Sequence, residues 1–272
     1  MATGRTRVGD IDIEWEEHGE GSPPFVLVHG FTGARSDFEE HFAALAESRR
    51  VVAADHRGHG GSTNTGDGAT YTLDVLTDDL IGFLEAEVRG PADLLGHSMG
   101  GMIVLRLALR RPELVRSLIL MDTAGEPPVT ASAVPDVRTM VEQHGVRRVV
   151  EMAARSPERA LLIRDKGAAW VESDAQRRLS TLDPEAFVEL LPRVFRCDDL
   201  LDRLPKIQAP TTVLVGSEDA PFLPPSKRIA AGIRGSRLEI IEGAFHSPQH
   251  THPREWLEVV CAHLARADAA SV

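Results

Sequence analysis

One stretch constrains this chain more than any other: Ala92-Asp93-Leu94-Leu95-Gly96-His97-Ser98-Met99-Gly100-Gly101, an apolar run that ends in Gly-x-Ser-x-Gly and passes straight into a helix-like segment, Met102 to Leu109. A strand that becomes a helix within a few residues forces the turning residue into strained backbone, and only glycine on either side leaves room for that approach. Gly96 and Gly100 flank Ser98 accordingly. The turn lifts the Ser98 hydroxyl clear of the sheet, and the helix start beyond it points unpaired N–H groups at any oxyanion formed there, Met99 N–H first. Five matching residues are also compatible with a plain turn. The context, a buried strand before, a helix after and a second apolar strand at Val115 to Met121, favours a nucleophile elbow.

At 272 residues the chain is long enough for one large α/β domain carrying an insertion. Hydrophobic residues at 42% and charged residues at 26% exclude disordered, collagen-like and coiled-coil architectures. No apolar run approaches the ~18 residues of a membrane span, and Met1 to Asp10 is not followed by the apolar region of a signal peptide. A cytoplasmic location is expected. The formal charge of -11 argues against a nucleic-acid partner, which needs clustered Lys and Arg. Two cysteines, Cys197 and Cys261, cannot form a dense disulfide framework and suit a reducing compartment.

The chain alternates strands and helices. Thr6 to Val8 and Ile11 to Trp15 predict an antiparallel opening pair, and Phe25 to Val28 a buried strand ending in His29-Gly30-Phe31-Thr32-Gly33. A helix is expected over Phe38 to Ser48, a strand over Val51 to Ala54, and an amphipathic helix over Leu73 to Val88. The loop Asp55-His56-Arg57-Gly58-His59-Gly60-Gly61-Ser62 lacks a spaced third ligand beside its two histidines, so a hydrogen-bonded structural loop is expected there and no metal. From Gly125 to about Leu204 the periodicity is helical throughout, with helices predicted at Asp136 to Gln143, Val146 to Arg155, Pro157 to Ile163 and Pro184 to Phe195. The core resumes with a strand at Thr211 to Val215, a helix at Pro224 to Gly232, a strand at Arg237 to Ile241 and a helix at Pro253 to Ala265.

This order implies an α/β fold with a doubly wound, mostly parallel sheet formed by residues 1–124 and 205–272, and a helical cap inserted at 125–204. In such sheets ligands bind at the carboxyl ends of the strands. That rule selects Phe31, Ser98, Asp122, Asp219 and His246. A serine hydroxyl is a weak nucleophile at neutral pH, and needs an imidazole to take its proton and a carboxylate to orient that imidazole. His246 and Asp219 supply both, in the order Ser, Asp, His. Asp122, Glu218, His250 and His252 are the rival acids and imidazoles.

From HGF at 29 through DHRGHGGS at 55, GHSMGG at 96, GSED at 216 and the His246 loop, the chain resembles the α/β-hydrolase fold, in particular its enol-lactonases, cofactor-free haloperoxidases and small carboxylesterases. The resemblance implies Ser98 as nucleophile, His246 as general base, Asp219 as its orienter, and the Phe31 and Met99 amides as the oxyanion hole. The family's histidine usually follows glycine, whereas Phe245 precedes it here. Ser98 at the elbow argues against the dehalogenases and epoxide hydrolases of this fold, which place aspartate there. Ser247-Pro248-Gln249 departs from the tryptophan that usually follows the histidine in its C–C hydrolases.

The expected activity is hydrolysis of a carboxylic ester or lactone through an acyl-enzyme, without metal or organic cofactor. A helical cap over such a site predicts an enclosed, mostly apolar pocket, with Phe31, Met99, Met140, Met152, Trp170, Phe187, Phe195 and Phe222 as lining candidates and a small to medium hydrophobic acyl group as ligand. A lyase or peracid-forming haloperoxidase on the same scaffold, and a ligand sensor, are the alternatives. Oligomeric state is not encoded in any visible pattern.

Overall fold

The computed structural model describes residues 1–128, 136–153 and 156–270. Its eight strands are β1 (Ala2–Val8), β2 (Ile11–His18), β3 (Phe25–Val28), β4 (Val51–Ala54), β5 (Ala92–His97), β6 (Val115–Met121), β7 (Thr211–Gly216) and β8 (Arg237–Ile241). They form one sheet in the order β1-β2-β4-β3-β5-β6-β7-β8. The β1/β2 and β2/β4 pairs are antiparallel and the remaining pairs parallel. β3, β5 and β7 are buried along their whole length, as parallel strands covered on both faces must be.

The longer helices are α1 (Leu73–Phe83), α2 (Met99–Arg110), α3 (Val137–Ala153), α4 (Pro157–Lys166), α5 (Ala168–Leu179), α6 (Pro184–Phe195), α7 (Leu223–Gly232) and α8 (Pro253–Ala269). Caps fix several of their starts. Thr72 accepts from Val75 N–H at α1, Ser156 from Arg159 N–H at α4, and Asp183 from Glu185 N–H at α6, where Pro184 needs no partner. One face of the sheet packs on α1, α2 and α7 through residues such as Leu76, Phe83, Ile103, Leu107 and Ile229. The other packs on Phe38, Phe42, Trp256, Val260 and Leu264.

Four helices, α3 to α6, separate β6 from β7, and the described residues between those strands include no strand. α3 changes direction at Gly145 (φ 77°), so the two predicted segments on either side of it are real, although Ala154 and Arg155 lie outside the described residues. Two expected helices come out shorter. Arg35–His41 is a 3-10 helix followed by one α-turn, Phe42–Leu45, and α1 passes into a π-turn over Leu84–Val88. α5 has no counterpart among the predicted helices, because half of AAWVESDAQRRL is polar and it buries only Val171 and Asp174.

β3 and β5 are neighbours, while the chain leaves β3 for β4 on one side and β5 for β6 on the other. Loops leaving their carboxyl ends therefore diverge, and the gap between them is where ligands collect in open α/β sheets. Phe31 and Ser98 stand at the two rims of that gap.

Candidate active site

Ser98 is the residue between β5 and α2, with φ 53° and ψ −117°. Its main chain is clamped on both sides: its N–H bonds the Met121 carbonyl at 2.8 Å, and its carbonyl accepts from Thr123 Oγ1 at 2.7 Å. The flanking glycines are required by space. A Cβ on Gly96 would strike the Gly100 carbonyl, and one on Gly100 would strike the Val28 carbonyl. Met99 is the first residue of α2, so its N–H has no partner within the helix by position.

The structure brings Ser98, His246 and Asp219 together although 148 residues separate Ser98 from His246. Ser98 Oγ lies 2.9 Å from His246 Nε2, and His246 Nδ1 lies 2.7 Å from Asp219 Oδ2. Burial pushes the His246 imidazole down, but its bond to Asp219 and the charges of Asp219 and Glu158 outweigh that, leaving it above the usual histidine range. Phe222 backs the ring at 4.7 Å between centroids. Such a chain makes the hydroxyl a nucleophile whenever the imidazole is neutral.

Of the rivals, Asp122 is fully buried, and its Oδ1 accepts from Gly216 N–H at 2.9 Å. Burial and the adjacent Asp219 carboxylate push Asp122 well above the usual carboxylate range. Glu218 is exposed and its carboxylate accepts from Ser217. His252 bonds Thr251, and His250 meets Trp170 edge-on at 5.6 Å.

Asp122, Asp219 and His246 are also the only described residues grouped closely enough to hold a cation, their ligand atoms lying within 4.8 Å of one another. The bond between Asp219 and His246 already engages two of those atoms. His56 and His59 are buried and bonded to main-chain carbonyls of His29 and Arg57, and burial pushes them down to about 3 and about 4. The Cys197 thiol is pushed up to about 11 by burial, which leaves it inert.

A cavity of about 270 Å³ opens above Ser98. Phe31 and Trp170 border it as expected, but Met99, Met140, Phe187 and Phe222 do not, nor do Met152 and Phe195. Met99 is fully enclosed beneath the turn, Phe187 packs on Phe31 at 5.2 Å, Phe222 lies behind His246, and Met140 joins the core. Met99, Phe187 and Phe222 are buried in the main apolar core, with Met140 packed partly buried against it, which removes their apolar surface from water. The wall is mainly apolar, through Val150, Leu162, Val171 and Ala175 besides Phe31 and Trp170, but Asp37, His97, Glu158, Asp174, Arg178 and Gln249 also reach it. Nothing in the apolar periodicity used to pick lining residues marks them. Asp37 is buried with its acid pushed up to about 6. A larger, open groove of about 610 Å³ between α3 and α6 contacts none of Ser98, Asp219 or His246.

The model of the alpha/beta hydrolase fold family matches residues 23–253. The chain is 33% identical over 259 residues to the 2-hydroxymuconate semialdehyde hydrolase of Pseudomonas sp. (strain CF600), covering 92% of this chain and 89% of that one. It is 30% identical over 275 residues to RutD of Variovorax paradoxus (strain S110), a protein named as a putative carbamate hydrolase, covering 96% and 99%. Among solved structures, the enol-lactonase from Burkholderia xenovorans LB400 superposes with a TM-score of 0.86 at 21% identity, covering 96% of this chain and all of that one (100%). The chain belongs to the α/β-hydrolase family. It is a hydrolase enzyme. No helix among the described residues is long and apolar enough to cross a membrane.

Proposed function

We propose that this protein is a serine hydrolase that cleaves a small carboxylic ester or lactone through an acyl-enzyme on Ser98. The observation that carries the reading is the unbroken chain from Ser98 Oγ through His246 to Asp219 at the base of the cavity. Ser98 attacks the carbonyl carbon as His246 Nε2 takes its proton, and Asp219 stabilises the imidazolium that results. The amides of Phe31 and Met99 receive the oxyanion. His246 then returns the proton to the leaving alcohol, and water, activated by the same imidazole, releases the acid. In this reading α3 to α6 serve as the cap, and the cavity lies at the small end of ligand pockets.

The likeness to an enol-lactonase supports the fold of this reading, and the hydrolase names of the relatives support its reaction class. The test is turnover of p-nitrophenyl acetate and butyrate, with a fluorophosphonate probe located by intact mass and peptide mapping. A label on Ser98, steady turnover and a loss on the order of a millionfold in Ser98→Ala are expected. Full turnover in Ser98→Ala would overturn the reading. Labelling without ester turnover would move carbamate or C–C bond hydrolysis ahead of it.

A further inference from the structure

The cavity above Ser98 carries more buried polar atoms than acyl transfer uses. Asp37 Oδ1, Gln249 Oε1 and His97 Nδ1 have no hydrogen-bond partner among the described residues. All three residues border the cavity, and they are only 5%, 1% and 5% exposed. His97 Nε2 bonds the His246 carbonyl, which can only accept, so the proton of this neutral ring sits on Nε2 and Nδ1 is an acceptor. From the helical side, Arg178 on α5 also borders the cavity. Its Nε has no partner among the described residues, while its Nη2 is held by Asp174 Oδ2 at 2.6 Å. Three acceptors and one donor without partners among the described residues thus belong to side chains that border the space an acyl group would enter.

Their mixture discriminates between ligands. A plain alkyl chain would leave all four atoms unpaired, which buried polar groups rarely are. A carboxylate would accept from Arg178 but would meet the carboxyl groups of Asp37, Asp174 and Glu158 on the same wall. An ammonium group would donate but has nothing to offer Arg178, and Arg159 adds a second cation. A hydroxyl both donates and accepts without carrying charge. We propose that the cavity selects an acyl group or lactone ring bearing a hydroxyl, which donates its one proton to Gln249 Oε1 and accepts from Arg178 Nε. This inference rests on the ester and lactone reading above.

The experiment compares kcat/KM for three p-nitrophenyl esters of similar size, the butyrate, the 3-hydroxybutyrate and the hydrogen succinate, in the wild type, Gln249→Met and Arg178→Met. Arg178 is partly exposed, so its variant guards against a folding failure at Gln249. The hydroxylated ester is expected to exceed the butyrate at least about tenfold, the succinate to be poorest, and the tenfold preference to shrink below about threefold in either variant. Equal rates on butyrate and hydroxybutyrate with Ser98 still labelled would overturn this inference and leave the ester hydrolase standing. Preference for the succinate would overturn it in favour of a carboxylate site. Absence of both turnover and labelling on all three esters would overturn the ester reading and this inference together.

Discussion

His97 Nε2 donates a 2.7 Å hydrogen bond to the main-chain carbonyl of His246, and the two rings lie 5.0 Å apart. The residue before the apical serine thereby fastens the loop that carries the imidazole. Burial pushes His97 down to about 3, so the ring stays neutral and the bond survives throughout the working range of pH.

His97→Phe keeps the volume and removes the tie. The imidazole of His246 would then lose its fixed approach to Ser98, and small misplacements of reacting groups are costly. We expect kcat for p-nitrophenyl butyrate to fall roughly ten- to a hundredfold with a smaller change in KM. Unchanged kcat in steady-state assays would show that Asp219 alone positions the ring.

The His246 loop also sets the pH profile. His246 is raised above the usual histidine range despite its burial, because Asp219 and Glu158 favour its charged form. In the proposed mechanism the base is the neutral form, so kcat/KM should rise with pH and level off above that raised pKa. Asp219→Asn should move the midpoint down and cost roughly 10⁴ in kcat. Glu158→Gln, whose Oε1 otherwise accepts from Ser247 N–H at 2.7 Å, should move it down with a smaller loss. Profiles between pH 5 and 9 that coincide for all three proteins would rule out this electrostatic account.

Asp37 makes a stability prediction. Burial raises it to about 6, against 3.8 when free, so between those values the folded state holds a proton that the unfolded state has released. Stability must therefore fall as pH rises through that window and level off above it, by about 3 kcal/mol for this group. Asp37→Asn should remove that slope, and its stability relative to wild type should be higher at pH 7 than at pH 4. Urea denaturation of both proteins at the two pH values reads the difference directly, since the other titrations cancel.

At the foot of the sheet, Asp93 is fully buried and accepts from Arg49 and Arg116, each at 2.9 Å, and from Ser117. Removing one member of a buried ion cluster strands the others. Asp93→Ala should cost roughly 3–5 kcal/mol, seen as a lower urea midpoint at constant slope. Ester turnover per folded molecule should be unaffected, because Asp93 touches none of the reacting groups.

The strands and the serine turn were legible because their signals are local. A short apolar run bounded by glycine has few other solutions, and Gly96 and Gly100 stand where a Cβ would strike backbone. Helix α5 was not legible, since most of its polar residues are exposed, and two others, Asp174 and Arg178, border a cavity that exists only once α4, α5 and the His246 loop have met. The same reason limits what the sequence says of the cavity wall, where Phe31 and Trp170 stand but the polar members go unmarked. Phe187 and Phe222 advertise burial and are buried, whereas Arg178, Asp174 and Gln249 read as ordinary surface until the fold encloses them. Asp122 and Asp219 both follow strand ends, and only the 2.7 Å bond of Asp219 to His246 separates their roles in geometry.

β5 begins beside one polar cluster and ends at another: Asp93 anchors the ion cluster near its start, and Ser98 stands one residue beyond its end. Five residues of extended chain put these positions roughly 16 Å apart, further than the distance over which substitutions usually couple. Changes that harden the foot of the sheet should therefore add to changes that reshape the cavity, each leaving the other's effect intact. The two ends of one strand can be optimised as separate problems, stability at the first and substrate preference at the second.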